Sequence, residues 1–144
     1  MKDSEKYRLS LYKTIEILRR TNESEIELTE SSLDGKKYIK KTYNTDKRSV
    51  FRRLAEIHND FIPEIYEVFF DENTVIIEQY IEGKTFESLM DDGYLFSKEE
   101  VERIFECLIE AVSALHKNNL IHRDIKPSNI IVGSDGTALL IDYS

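Results

Sequence analysis

Alternating apolar and polar residues occupy much of the first eighty positions of the chain. A period of two is typical of strands that bury one face. The alternation is clearest at residues 11–18 and 26–29, and five strands in all are predicted, at residues 11–18, 26–29, 36–43, 65–70 and 74–80. Short polar turns separate the first three, including one with a glycine at residues 31–35, so these strands should pair antiparallel. Residues 1–9 are polar and are expected to form a loose arm or a short helix.

Helical spacing of apolar residues marks three further segments. Residues 46–58 are predicted to be a helix that presents one apolar face, with Asp46 as its N-cap. A short helix is predicted at residues 85–90. Ser97 and Glu100 form a capping box that opens the clearest helix of the chain. Its apolar positions are Val101, Ile104, Phe105, Leu108, Ile109, Val112 and Leu115.

The last part of the chain combines short apolar runs with a polar loop. Residues 120–121 and 130–132 are apolar and flank a polar segment, which predicts small strands that hold a rigid loop. A turn at residues 133–136 leads to a last strand at 137–141, which carries Asp142 at its end. The predicted fold class is therefore α+β: a five-stranded antiparallel sheet with one helix, followed by helices and a small hairpin.

Composition narrows the range of partners. The chain has 144 residues, and 20 Lys and Arg against 28 Asp and Glu give a net charge of −8. This acidity argues against nucleic acid and against an anionic membrane as partners. No apolar run is long enough to span a membrane, and the polar start is unlike a signal peptide. The single Cys107 is expected to be a small core residue, and the expected location is the cytoplasm.

The polar loop near the end carries three groups with complementary chemistry. Asp124, Lys126 and Asn129 supply a carboxylate, a cation and an amide oxygen within six residues. Together they can orient a hydroxyl nucleophile, neutralise a phosphate and coordinate a hard metal ion. The alternative is a polar loop between strands that has no chemical role.

This loop resembles the catalytic loop of protein kinases, H-R-D-x-x-x-x-N. The motif is matched at His122, Arg123, Asp124 and Asn129. Lys126, two places after the aspartate, resembles the serine/threonine branch of the family. The resemblance implies one incomplete kinase-like domain over residues 1–144. Residues 11–80 would form the small lobe, and residues 81–144 would form the hinge and the helical start of the large lobe.

The resemblance also implies roles for individual residues, with ATP and Mg²⁺ as cofactors. Asp124 would orient the substrate hydroxyl, and Lys126 would steady the γ-phosphate. Asn129 and Asp142 would hold Mg²⁺, although Asp142 opens the triplet D-Y-S where kinases have D-F-G. His122 and Arg123 are given structural roles.

The resemblance to the small lobe and hinge of kinases also implies which residues contact the nucleotide. Lys40 falls in the slot of the third-strand lysine, which meets the α- and β-phosphates. Strand alternation places Lys41 on the opposite face, and the sequence does not say which face meets the nucleotide. Backbone groups of Gln79, Tyr80 and Ile81 are expected to bind the adenine base.

Two features depart from the kinase pattern. The phosphate-covering loop has Arg19, Thr21 and Ser24 where kinases have glycines. The small-lobe helix has Ser49 or Val50 where kinases have the glutamate that pairs with the third-strand lysine. Glu78 is unusual as well, because it falls near an apolar position of the family and would be costly if buried without a partner.

Two functions from different classes therefore stay open. The first is a kinase that transfers the γ-phosphate of ATP to Ser or Thr hydroxyls of a protein substrate. The second is an inactive, pseudokinase-like or truncated module that binds a nucleotide or a protein partner. Kinases continue beyond the position of Ser144, so we expect an exposed apolar large-lobe surface, self-association or partner recruitment, and inefficient phosphorylation by the isolated chain.

Overall fold

A computed structural model describes residues 1–141 of the chain. It confirms the α+β class and the five-stranded antiparallel sheet. Two compact units are present: residues 1–56 with 64–80, and residues 57–63 with the chain from Ile81 onward. They are described separately below as the N-terminal unit and the C-terminal unit. The domain boundaries inferred from the sequence stay a prediction.

The sheet of the N-terminal unit confirms all five predicted strands. They are β1 (Tyr12–Arg20), β2 (Ser24–Ser31), β3 (Lys37–Tyr43), β4 (Ile65–Phe70) and β5 (Thr74–Gln79). Their order is β1-β2-β3-β5-β4, and every neighbouring pair is antiparallel. Strand β1 is longer than predicted because Arg19 and Arg20 pair with Ile26 and Glu25 of β2. The polar turn is consequently limited to residues 21–23.

One face of the sheet is covered by helix α2 (Arg48–Ala55). Phe51 and Leu54 of this helix are buried, and Phe51 stacks on Tyr43 of β3 with ring centroids 5.3 Å apart. The helix is shorter than predicted, and Asp46 is not its N-cap because Lys47 holds that position. Asp46 instead accepts the backbone N–H of Arg48 at 3.1 Å and pairs with its guanidinium.

The other face carries helix α1 (Asp3–Ser10), which confirms the short-helix alternative for the N-terminus. A buried cluster of Phe69, Val75 and Ile77 packs there against Leu9 and Tyr12 and other partly buried side chains. Glu67 also tethers the helix, because it accepts hydrogen bonds from Arg8 and from the Tyr12 hydroxyl, both at 2.8 Å. Burial and this carboxylate raise the pKa of Tyr12.

The C-terminal unit is built from short strands and one long helix. Its elements are β6 (Lys84–Thr85), α3 (Phe86–Asp91), α4 (Lys98–Lys117), a 3-10 turn (Pro127–Asn129), β7 (Ile130–Val132) and β8 (Ala138–Leu140). The three strands form one sheet in the order β6-β7-β8. The predicted strand at residues 120–121 is wrong. Leu120 instead donates its backbone N–H to Leu115 and closes the end of α4, whereas β6 pairs with β7.

Helix α4 begins with the predicted capping box, in which Ser97 and Glu100 bond to each other's backbone N–H groups. Its buried face consists of Ile104, Cys107, Ala111 and Leu115, which confirms Cys107 as a core residue. No helix within residues 1–141 is long and apolar enough to cross a membrane.

Candidate functional site

The loop that follows α4 is held by a buried histidine. His122 is 3% exposed, and its Nδ1 accepts the backbone N–H of Asp124 at 3.1 Å. Because a backbone N–H can only donate, Nε2 carries the proton and donates to the carbonyl of Ile141 at 2.8 Å. The imidazole therefore ties the loop to the residue that precedes Asp142 in the chain. This geometry agrees with the structural role expected for His122.

Asn129 forms the second brace of the loop. Its Nδ2 donates to the backbone carbonyl of Asp124 at 2.8 Å and to the Asp124 carboxylate at 3.2 Å. The backbone carbonyl of Asn129 accepts the backbone N–H of Ile141 at 2.9 Å. These bonds use the amide nitrogen and leave Oδ1 as the side-chain acceptor. A carbonyl oxygen of this kind is a ligand that Mg²⁺ favours, so the chemistry of Asn129 fits its predicted metal role.

The structure brings together the three polar residues that the sequence singled out. Lys126 Nζ lies 3.4 Å from Asp124 Oδ2, which also accepts from Asn129. Lys126 and Asp124 are about half exposed, whereas Asn129 is buried. Arg123, which lies between them and the buried His122, adopts a positive φ of 71°. This backbone conformation costs a residue with a side chain about 1–2 kcal/mol. The carboxylate and the ammonium are thus exposed groups on a constrained loop.

Removing the His122 imidazole should destabilise the protein. His122→Ala would leave the Asp124 N–H and the Ile141 carbonyl without their side-chain partner, so we expect a loss of about 2–4 kcal/mol in the free energy of unfolding. Urea unfolding followed by circular dichroism measures it. His116→Ala, at an exposed position in the last turn of α4, is the matched control, with an expected loss under about 0.5 kcal/mol. Equal losses in both variants would contradict the bracing role.

The two adjacent lysines of β3, Lys40 and Lys41, differ in burial and in ion-pair partner. Lys40, the lysine that the family register selects, is partly exposed and lies 3.6 Å from Glu27 of β2. Lys41 is 3% exposed, and its ammonium lies 2.9 Å from Glu78 Oε1 of β5. Glu78 is likewise buried, and its Oε2 has no hydrogen-bond partner within the described residues.

The pairing of Lys41 with Glu78 was missed by sequence reasoning, although two signals pointed to it. Glu78 directly follows three apolar residues of β5 and is expected to be buried with them, so a buried cation was needed beside it. Lys41 lies on the adjacent strand in the middle of the sheet, diagonal to Glu78 across the Ile39–Glu78 pair. The register of two strands that are distant in sequence was needed to join these signals.

The predicted base-binding residues differ in how their backbone is used. The N–H of Gln79 donates to the carbonyl of Glu64 at 2.8 Å, and the side-chain Oε1 of Gln79 accepts from the N–H of Glu64 at 3.1 Å. The Gln79 N–H is thus engaged within the sheet. Tyr80 and Ile81 follow the end of β5. The expectation that backbone groups of Gln79, Tyr80 and Ile81 bind a base stays a prediction.

The turn between β1 and β2 is closed by its own side chain. The hydroxyl oxygen of Thr21 accepts the backbone N–H groups of Glu23 and Ser24 at 3.2 and 3.1 Å. In the kinase pattern this loop offers backbone amides to phosphates. Here two of those amides are already bonded within the turn.

The metal site inferred from the sequence cannot be built from the described residues alone. Asp142, its second predicted ligand, lies outside residues 1–141. Within that range no three His, Cys, Asp or Glu side chains come together as a metal-binding group. The metal assignment to Asn129 and Asp142 therefore stays a prediction.

Comparison with known sequences identifies the class of protein. The family model described as protein kinase domain matches residues 13–144, so the chain belongs to the protein kinase family. This match confirms the resemblance that was drawn from the loop motif and the order of strands.

Several similar proteins are named as serine/threonine-protein kinases. The chain is 34% identical to serine/threonine-protein kinase TIO of Arabidopsis thaliana over 115 residues, which are 74% of this chain and 8% of that protein. It is 35% identical to serine/threonine-protein kinase D of Synechocystis over 97 residues, or 66% of this chain and 18% of the relative. It is 27% identical to serine/threonine-protein kinase cot-1 of Neurospora crassa over 143 residues, which are 92% of this chain and 24% of that protein. The chain thus spans a quarter or less of each relative.

Proposed function

We propose that this chain binds ATP together with Mg²⁺ and supplies the catalytic loop for transfer of the γ-phosphate to a Ser or Thr hydroxyl. The observation that carries this proposal is the braced arrangement of Asp124, Lys126 and Asn129. A loop without a chemical role has no need to hold a half-exposed carboxylate beside an ammonium and an amide.

Each loop residue has a role in the proposed reaction. Asp124 would accept a hydrogen bond from the substrate hydroxyl and orient its oxygen for attack. Lys126 would balance negative charge on the transferred phosphoryl group. Asn129, with Asp142, would hold Mg²⁺, which when bound neutralises the phosphate oxygens.

In the N-terminal unit, a lysine of β3 would meet the inner phosphates. The family register assigns this role to Lys40, and the burial and ion pair of Lys41 make it the second candidate. Backbone groups of Gln79, Tyr80 and Ile81 would bind the base, with the N–H groups of Tyr80 and Ile81 as the donors.

A rival function is favoured by the closed β1–β2 turn. The Thr21 hydroxyl oxygen accepts the backbone N–H groups of Glu23 and Ser24, so these two groups are not available to bind phosphates. This is expected of a non-catalytic module that binds a partner. Calorimetry with ATP separates the two, first with Mg²⁺ and then with a chelator. Magnesium-dependent ATP binding supports the kinase-like function, and absence of ATP binding favours the partner-binding module.

The metal assignment has its own test. Asp142→Asn should lower the affinity for MgATP roughly tenfold or more, because a neutral amide would replace the anionic oxygen proposed to hold the metal. Affinity for metal-free ATP should change little. The matched control is Asp135→Asn, which alters an exposed turn carboxylate that accepts hydrogen bonds from Thr137. Unchanged MgATP affinity in Asp142→Asn would exclude Asp142 as a ligand.

We also propose that the chain self-associates through the outward face of α4. Phe105 and Ile109 lie one turn apart and are 59% and 64% exposed, with the half-buried Val101 and Val112 continuing the same stripe. Adjacent large apolar side chains on one helix face are typical of interaction surfaces. A second copy of the chain is the proposed occupant.

A further inference from the structure

The buried ion pair of the N-terminal unit lies on the sheet face that helix α2 covers. Along β3, Ile39, Lys41 and Tyr43 point to one face, and Tyr43 stacks on Phe51 of α2. Lys40 points to the opposite face together with Tyr38, which contacts Tyr12 edge to face. The two adjacent lysines therefore lie on opposite sides of the sheet.

Helix α2 has no group with which to hold either lysine. Its sequence, RSVFRRLA, contains three arginines and no carboxylate. The position from which a kinase helix would supply a glutamate is thus occupied by neutral or cationic residues. Any anion that fixes a lysine on this face has to come from another element.

Strand β5 provides that anion. Glu78 Oε1 lies 2.9 Å from the Lys41 ammonium, and both side chains are about 95% buried. Strands β3 and β5 are hydrogen-bonded neighbours in the interior of the sheet, so the two backbones are fixed relative to each other.

We propose that Glu78 replaces the missing helix glutamate as the positioning residue of Lys41, and that Lys41 rather than Lys40 meets the phosphates of a bound nucleotide. This inference rests on the nucleotide binding proposed above. Its consequence is that the sheet, not the helix, holds the lysine. Displacement of α2 would then leave the ion pair intact, whereas a helix-borne glutamate would move away with its helix.

Nucleotide affinities measured by calorimetry test the proposal. Glu78→Gln keeps the shape of the side chain and removes its charge, so MgATP affinity should fall about tenfold or more while adenosine affinity stays within about twofold. Lys41→Met should show the same split between ATP and adenosine. Glu30→Gln and Lys13→Met, at exposed positions of β2 and β1, are the matched controls and should leave both affinities unchanged.

The double variant Lys41→Met, Glu78→Gln distinguishes positioning from a general effect on the fold. If Glu78 acts through Lys41, its replacement should add nothing to the loss of MgATP affinity already caused by Lys41→Met. A full additional loss would overturn the proposal. So would a selective loss of ATP affinity in Lys40→Met that Lys41→Met lacks. Should Glu78→Gln fail to fold, Glu78→Asp, which retracts the charge by one methylene, should give a smaller loss confined to ATP.

Lysine labelling separates failure of this inference from failure of the proposed function. If the wild-type chain binds no nucleotide, the proposed function fails, and acetic anhydride labelling then tests the pair alone. Lys41 should react slowly in the wild type and about tenfold faster in Glu78→Gln, because the ammonium is released. Equal labelling rates would show that Glu78 does not fix Lys41.

Discussion

Replacing Lys41 with methionine is expected to lower the free energy of unfolding by about 3–5 kcal/mol. The reason is the burial of its partner. Glu78 is 4% exposed, and its Oε2 already lacks a hydrogen-bond partner within residues 1–141. Without the ammonium, the carboxylate would remain buried without the cation 2.9 Å away that compensates its charge. A loss of this size is a large share of the 5–15 kcal/mol that stabilises a typical domain.

The adjacent lysine provides the matched control. Lys40→Met removes the same charge from the same strand, and its partner Glu27, 3.6 Å away, is also buried. Lys40 is more exposed than Lys41, however, and Glu27 keeps a hydrogen bond from the Thr14 hydroxyl at 2.6 Å. The expected loss is therefore smaller, about 1–2 kcal/mol. Urea unfolding followed by far-ultraviolet circular dichroism suits the measurement, because the chain contains no tryptophan.

A compensating variant identifies the cause of the loss. Lys41→Met combined with Glu78→Leu replaces the whole ion pair with apolar groups of similar size, and most of the lost stability should return. If the double variant is less stable than Lys41→Met alone, the buried charge of Glu78 does not explain the loss. Similar losses in Lys40→Met and Lys41→Met would contradict the burial argument.

Replacing Phe105 and Ile109 together with glutamine should weaken self-association roughly a hundredfold or more. Each apolar side chain that an interface buries contributes about 1.5–3 kcal/mol, and 2.7 kcal/mol corresponds to a factor of a hundred. Both residues are more than half exposed on α4, so their replacement should leave the fold of the subunit intact. Glutamine is chosen because it is a good helix former.

Analytical ultracentrifugation over a range of concentrations measures this effect. The matched control is Glu106→Gln with Glu110→Gln, which introduces the same residue at two exposed polar positions of α4. Its dissociation constant should equal that of the wild type. A wild-type chain that stays monomeric at micromolar concentration, or a control that dissociates as readily as the apolar variant, would prove the proposed interface wrong.

Several elements followed from local sequence because local interactions specify them. The capping box of Ser97 and Glu100 sets the start of α4, and the alternation of apolar and polar residues identifies β1 and β2 as strands. The helix predicted at residues 46–58 is longer than α2 because the apolar spacing continues past Ala55 to Ile57, which belongs to the other compact unit. A periodic pattern records burial, and residues in a loop can be buried too.

The loop that carries the kinase motif was recognised from sequence for the same reason, since its residues lie within eight consecutive positions, 122–129. Asp124, Lys126 and Asn129 are neighbours in the chain, and their mutual bonds span no more than five residues. The motif did not predict the hydrogen bonds that hold the loop to a residue outside it. His122 and Asn129 both bond to Ile141, which is brought to the loop by the pairing of β7 with β8.

The sequence by itself determined the family, the five strands of the N-terminal unit and the residues of the loop, because short-range patterns specify each of them. Only the tertiary structure decided between Lys40 and Lys41 as the buried lysine. Alternation along β3 requires that the side chains of Lys40 and Lys41 point to opposite faces of the sheet, but it does not predict which face helix α2 covers. That choice was made by the stacking of Phe51 on Tyr43 and by the register that sets Glu78 diagonal to Lys41. Both contacts join segments more than seven residues apart, and their energy depends on burial that no local pattern encodes.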